Sequence, residues 1–264
     1  IGEKRGARIG VRVRYLHYKM WRMSPAGRRD LKALKILKNK HEGKRAFVIG
    51  NGPSLNDIDL NMLEREITIG SNGIFIMQEK KGFTPTYYTI EDRLVAEDRV
   101  TEASNLKNTF KLFPHDLSYC LKKIQDAHFL YFDRSTHWDQ PEFSADLTKK
   151  AYWGGTVTYY NLQLAIYLGC SPIYLIGVDH SYTDNFKIKK EGATWTSEEE
   201  DINHFDGSYF GKGYRWHDPN VERMERAYLA SKLYADRYGI DIINATVGGK
   251  LEVFPRVDYT SLFN

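Results

Sequence analysis

Cysteine is nearly absent: two thiols, Cys120 and Cys170, stand in 264 residues. A disulfide framework is thereby excluded, and a reducing, cytosolic setting is the expectation. Cys170 lies in an apolar stretch and reads as a buried free thiol. Long hydrophobic runs are missing as well. None approaches the roughly 18–20 apolar residues that span a bilayer, and no signal peptide is visible. There is no low-complexity tract and no internal repeat, so fibrous and solenoid classes drop out. No spacing of His and Cys suggests zinc. Neither the G-x-G-x-x-G dinucleotide fingerprint nor the G-K-[ST] of a P-loop occurs.

What is present suits a globular α/β chain. Hydrophobic residues make up 42% and charged residues 27%, enough apolar surface for one large core. Tyrosine is abundant, with 18 copies, and serves equally to line polar clefts or to fill cores. The net charge of +4 hides an asymmetry. Residues 1–45 carry 15 Lys/Arg against 3 Asp/Glu, while the remainder carries 23 against 31. Tyr15, Tyr18, Met20, Trp21 and Met23 are interleaved with Arg12, Arg14, Lys19 and Arg22 in the basic part. Three readings stay open for it: a helix packed on the domain, a surface for anionic membrane, or a nucleic-acid contact. Nucleic acid is not the expected partner. A peripheral position at the inner face of the membrane is the matching expectation for location.

The pass along the chain predicts a basic, helical N-terminal segment at 1–43 and a nucleotide-binding α/β domain at 44–264. Ala46–Ile49, Ile67–Gly70, Thr86–Ile90, Phe129–Phe132, Ile173–Gly177 and Ile240–Asn244 read as strands. Helices are expected over Asp57–Glu66, Thr156–Leu168 and Pro219–Tyr238, the last with Val221, Met224, Tyr228, Leu229 and Leu233 on its apolar side. Residues 183–218 read as a polar, irregular lid. Strands alternating with helices imply a Rossmann-like, mostly parallel sheet with helices on both faces. In such folds ligands lie at the carboxyl ends of the strands. The polar clusters fall at those ends: Gly50–Ser54, Ser71–Gly73, Glu91–Arg93, Asp179–Tyr182 and Asn244–Thr246.

Several clusters carry possible chemistry. Gly50-Asn51-Gly52-Pro53-Ser54 lets backbone N–H groups approach a phosphate, or is simply a turn with Ser54 as a helix cap. Asp57-Ile58-Asp59 has D-x-D spacing, which serves a metal or merely favours a helix's first turn. Asp179 ends the cleanest strand, as a ligand for metal, ribose or substrate, or as a cap. Histidine is a residue type that can serve as a general base, which makes His204 a candidate, although a lone loop histidine is often incidental. Tyr182, Tyr209 and Tyr214 can donate hydrogen bonds to a leaving phosphate, and Arg93, Lys187, Lys189, Lys212 and Arg215 can meet anions or solvent.

In order along the chain, Phe47–Leu55, Ser71–Phe75, Gly154-Gly155-Thr156, Leu168–Asp179, Asn203-His204-Phe205, Asn244–Thr246 and Leu251–Pro255 resemble a known group. They resemble the bacterial lipooligosaccharide sialyltransferases of glycosyltransferase family 42. They also resemble the wider superfamily of MptE-like 6-hydroxymethylpterin diphosphokinases and flagellin-modifying Maf proteins. The resemblance spans about residues 45–260 and implies that 44–264 is a nucleotide(-sugar)-binding catalytic domain. It implies transfer of a sugar, a CMP-linked acidic one, to a glycan, glycolipid or protein acceptor, with no obligatory metal. By the same resemblance Gly50, Asn51, Gly52, Ser54, Asn72 and Asp179 hold the nucleotide, and Gly154, Gly155 and Thr156 shape the donor pocket. His204 deprotonates the acceptor and Tyr182 stabilises the departing phosphate. The alternative is pyrophosphate transfer from ATP with Mg²⁺. The Asp-rich signature of the pterin enzymes is replaced here by Glu91-Asp92-Arg93. A non-catalytic nucleotide- or glycan-binding module is the second alternative.

Overall fold

The computed structural model describes residues 13, 15–135, 139–182, 188–191, 194–197, 200–210, 212–217 and 219–264. Seven strands form one parallel sheet in the order β12-β8-β1-β2-β3-β4-β5. They are β1 (Ala46–Ile49), β2 (Ile67–Ser71), β3 (Tyr87–Thr89), β4 (Phe110–Pro114), β5 (Ala127–Leu130), β8 (Ile173–Ile176) and β12 (Ile242–Asn244). All four residues of β1 are buried, as expected for an apolar run covered on both faces. Its neighbours are β2, with Ala46 opposite Ile67, and β8, with Ala46 opposite Ile173. The strand order therefore reverses between β1 and β8, and the crevice opens beyond their carboxyl ends.

Helices cover both faces. On one side lie α2 (Pro25–Leu37), α7 (Val157–Tyr167) and α8 (Val221–Tyr238); on the other lie α3 (Phe75–Lys81), α4 (Arg93–Asp98), α5 (Val100–Asn105) and the single turn α6 (Ser118–Leu121). Thr156 caps α7 by accepting from the Thr158 N–H, and every residue of α7 after Val157 is buried. Two short strands, β6 (Phe132–Asp133) and β7 (Ala151–Tyr152), pair in parallel beside the main sheet.

The basic segment divides at Ser24. A first helix, α1 (residues 15–23), lies against β5 and its following loop through Tyr18 and Trp21. In α2, Leu34 and Leu37 enter the core, and the Tyr167 hydroxyl donates to the Leu34 carbonyl at 2.6 Å. So α2 belongs to the sheet's helical layer.

Three other expectations are corrected. The helix expected at Asp57–Glu66 is two single turns, Pro53–Asp57 and Leu60–Leu63, broken at the extended residue Ile58. Asp59 accepts from the Asn61 N–H, which starts the second turn instead of continuing the first. The lid is not irregular: β9 (Ile188–Glu191), β10 (Thr194–Ser197) and β11 (Arg215–His217) make an antiparallel sheet. On α8, Met224 and Tyr228 face the core, but Val221, Leu229 and Leu233 are exposed. Among the described residues, no helix is long and apolar enough to cross a membrane.

Candidate functional site

A cleft of about 650 Å³ opens at the carboxyl edge of the sheet. It collects the residues after β1 (Gly50, Asn51, Gly52), β2 (Asn72), β3 (Glu91–Arg93), β4 (Asp116), β6 (Arg134) and β8 (Gly177–Tyr182). The lid adds Asp201, Asn203, His204 and Tyr209, and the start of α8 adds Asn220 and Arg223.

The switch point is built by close backbone approach. Gly50 N–H donates to Ile176 O at 2.8 Å, and Gly52 N–H donates to Gly177 O at 2.9 Å. A Cβ on Gly50 would meet the Gly177 carbonyl oxygen at 2.2 Å, and one on Gly52 would meet Asp179 Oδ2 at 1.8 Å. Both glycines are therefore required by packing. Asp179 then takes the Ser54 N–H (3.2 Å) and the Ser54 hydroxyl (2.7 Å). The anion at the start of this turn is the protein's own carboxylate.

The lid hooks onto that loop. Phe205 N–H donates to Asn51 O at 3.0 Å, and Asn56 Nδ2 donates to Phe205 O at 2.8 Å. Arg99 donates to the Ser208 and Tyr209 carbonyls, both at 2.6 Å. His204, next to Phe205, is thus brought beside Asn51. Its Nδ1 lies 2.6 Å from Asp201 Oδ2, and its ring stacks on Tyr209 with centroids 4.1 Å apart. Asp201 is buried and also accepts from the N–H groups of Asn203 and Phe210. In all three bonds Asp201 is the acceptor, so His204 donates from Nδ1 and its Nε2 is the nitrogen left to accept. Burial pushes the Tyr209 hydroxyl well above its ordinary range, so it stays a donor at neutral pH.

The opposite end is an ion cluster. Arg134 donates from Nε to Asp116 (2.6 Å), from Nη1 to the Glu91 carboxylate (3.2 Å) and from Nη2 to Glu91 O (2.8 Å). Burial raises Glu91 to about 7, against the opposing pull of Arg134. Asp92 caps α4 and accepts from His217 Nδ1 at 2.8 Å, a bond that raises His217 above its ordinary value. The third wall carries Arg223, whose guanidinium stands 4.7 Å from the Trp153 ring, and His180, which is left-handed at φ 51° and lowered by burial.

Five buried polar atoms around the cleft have no partner among the described residues: Asn51 Oδ1, Asn72 Oδ1, Asp116 Oδ1, His180 Nε2 and Arg223 Nε. Buried polar atoms are almost always paired, and orphans gathered on one cleft mark where a polar ligand completes the set. The acceptors and the donor suit a ligand with both hydroxyl or amino groups and an anion.

The family model for 6-hydroxymethylpterin diphosphokinase MptE-like proteins matches residues 27–185, more than half of the chain. The chain belongs to the MptE-like family. The match covers the sheet-borne walls of the cleft, and the lid pair Asp201–His204 lies beyond it. Among solved structures, this MptE-like chain is similar to one titled MAf glycosyltransferase from Magnetospirillum magneticum AMB-1, with a TM-score of 0.52 and 16% identity. That likeness covers 85% of this chain and 35% of the other, so the chain spans about a third of that protein's length, and the likeness is one of fold. No curated protein matches the chain.

Of the residues read from sequence, Gly50, Asn51, Gly52, Asn72, Gly155, Thr156, Asp179, Tyr182 and His204 line the cleft of this MptE-like domain. Tyr182 stands half-exposed at its edge, its hydroxyl 3.7 Å from Met224 Sδ. Ser54 and Gly154 do not line it. Both polar groups of Ser54 are spent on Asp179, and Gly154 lets Tyr159 and Ala227 pack where a Cβ would sit. The D-x-D residues are also outside the cleft, with Asp59 occupied as a cap. Among the other cations and tyrosines, Arg93 and Tyr209 line the cleft, whereas Arg215 pairs with Asp98 and Tyr214 lies under Arg99. Lys212 is exposed away from it, and Lys187 and the Lys189 side chain lie outside the described residues. Sequence reasoning missed Asp201, Asp116, Arg134, Arg223 and His217. Only Asp201 left a local sign, an acid three residues before the lid histidine.

Proposed function

We propose that the chain is a transferase that binds a nucleotide-activated sugar and passes the sugar to an acceptor hydroxyl. The observation that carries this reading is the Asp201–His204 pair, held by the lid against the β1 loop. A carboxylate on Nδ1 sets the tautomer in which Nε2 accepts a proton, which is what a general base for a hydroxyl nucleophile requires. Asn51 and Asn72 offer carbonyl oxygens to an exocyclic amine or a ribose hydroxyl, and Asp179 a further acceptor. Arg223 and Arg93 face the developing phosphate charge, with Tyr182 and Tyr209 as neutral donors. The likeness to a structure titled MAf glycosyltransferase supports sugar transfer, and the sequence resemblance to sialyltransferases is what suggests a CMP-linked acidic sugar as the donor. The acceptor is then a glycan, a glycolipid or a glycoprotein.

The family's name favours a second reading, pyrophosphate transfer from ATP to a hydroxymethyl pterin. That chemistry asks for carboxylates free to hold Mg²⁺. Here Glu91 is taken by Arg134 and Asp92 by His217 and the α4 N-terminus, which leaves Asp116 Oδ1 as the one buried oxygen of these three acids without a partner among the described residues. Among the described residues, no three acids, histidines or cysteines are grouped to hold an ion. Calorimetry with CMP and with ATP plus Mg²⁺, followed by a donor-hydrolysis assay, separates the readings. The proposal expects CMP to bind and a CMP-sugar to be consumed. Tight ATP–Mg²⁺ binding without CMP binding reverses the order, and CMP binding without any turnover leaves a binding module.

A further inference from the structure

We propose that the outer face of α1, together with the basic ridge of α2, docks on an anionic lipid bilayer. The inner face of α1 is settled: Tyr18 is buried, with its ring 5.3 Å from Tyr131, and Trp21 packs on His115 and Phe129. The opposite face is apolar and open. Val13, Leu16, Met20 and Met23 are 56, 59, 49 and 68% exposed. At 100° per residue their spacing puts all four on one narrow stripe, and a stripe of this kind on a monomer's surface marks an interaction site.

The charges around the stripe decide its occupant. Lys19 on α1 and Arg28, Lys32 and Lys35 on α2 are exposed. The one acid within α1 and α2 is Asp30, which is buried and engaged by Arg29 and by His128 at 3.0 Å. The exposed charges of both helices are therefore positive. A nucleic acid would use the cations but has no use for four exposed apolar side chains. A second copy of the chain would bring like charge against like. An apolar stripe flanked by lysine and arginine is what an anionic bilayer surface accepts.

The surface is also placed to matter. A groove of about 260 Å³ at the N-terminal end of α1, lined by Val13, His17, His115 and Tyr131, shares Asp116 and Tyr119 with the main cleft. Docking sets that end of the cleft beside the bilayer. On the transferase reading above, the acceptor hydroxyl is then borne by a membrane molecule.

Co-sedimentation of the whole chain with phosphatidylcholine vesicles, with and without phosphatidylglycerol, tests the proposal. Binding is expected to the anionic vesicles, to fall with salt, and to be weak for phosphatidylcholine alone. Replacing Leu16, Met20 and Met23 together by Gln should lower partitioning about tenfold or more. Lys32→Gln with Lys35→Gln should lower it about thirtyfold. Met23→Gln alone, at the most exposed position of the stripe, gives the same direction should the triple variant not fold. Equal binding to both vesicle types, or wild-type partitioning of the stripe variants, overturns the proposal. Binding of duplex DNA without vesicle binding overturns it in favour of nucleic acid. CMP affinity, measured on the same variants, should not change. A wild-type chain that binds vesicles but not CMP defeats the transferase reading and leaves the docking surface standing.

Discussion

Asp201 Oδ2 lies 2.6 Å from His204 Nδ1, and both residues sit on a lid that is hydrogen-bonded to the loop after β1. The relationship ties an imidazole ring to the wall of the cleft formed by the loop after β1. His204→Ala should lower single-turnover donor consumption by about 10²–10⁴-fold, the usual contribution of base catalysis, with little change in CMP affinity. Asp201→Asn should lower it by about 10²-fold or more, because an amide no longer selects the tautomer. Turnover within a few-fold of wild type in either variant would remove His204 from the mechanism.

Gly52 is specified by the carboxylate packed against it. Gly52→Ala places a methyl 1.8 Å from Asp179 Oδ2, so urea unfolding should show a loss of about 1–3 kcal/mol, typical of overpacking. Asp179→Ala removes the obstacle along with the Ser54 bonds. The double variant should be less destabilised than the two single losses added together, by about 1 kcal/mol. Strict additivity would show that the strain lies elsewhere.

Glu91 makes a pH prediction with a definite sign. Its folded value is raised from 4.5 to about 7, so the native state holds more protons than the unfolded one in that interval. Stability from this group is present below 4.5 and declines as pH rises to about 7, by on the order of 3 kcal/mol. Glu91→Gln removes the ionisation cost while Asp116 still pairs Arg134. The melting temperature of the variant relative to wild type should therefore be more favourable at pH 8 than at pH 5. The opposite trend would mean that the Glu91–Arg134 attraction outweighs burial.

His217 links the lid to the body in the opposite sense. Its value is raised by Asp92, so the ionic part of the contact contributes fully below 6.5 and is lost as pH climbs through the folded value. The pair is partly exposed and its contribution is screened. Amide exchange in β11 should accelerate as pH rises above neutrality, beyond the intrinsic dependence of exchange on pH. His217→Gln should abolish that excess. An identical excess in the variant would show that His217 is not its source.

Much of the fold was legible along the chain. The apolar runs at Ala46–Ile49 and Ile173–Ile176 are short and end at glycine, the mark of parallel strands buried on both faces. β4 was missed, since Phe110-Lys111-Leu112-Phe113-Pro114 carries a lysine that burial depresses. The helix read over Asp57–Glu66 failed because Asp59 bonds its own turn. Leu229 and Leu233 were read as extending the apolar side of the helix, yet the packing of α8 turns only Met224 and Tyr228 of that side inward.

The cleft divides in the same way. Its sheet-borne wall was readable because residues after strands in a parallel sheet must converge, and local periodicity already marks where strands end. Sequence alone determined that Gly50–Gly52, Asn72 and Asp179 belong near one edge, and the family resemblance added His204 to them. Only the tertiary structure decided what each of them touches. Asp179 lies 125 residues from Ser54 and occupies the turn that sequence had assigned to a phosphate. Arg134 reaches Glu91 across 43 residues, and Phe205 binds Asn51 across the switch point. Periodicity reports which side of an element is buried. The partner of a polar group is set by which strand ends become neighbours, and the crossover between β1 and β8 fixes that only once the sheet has formed.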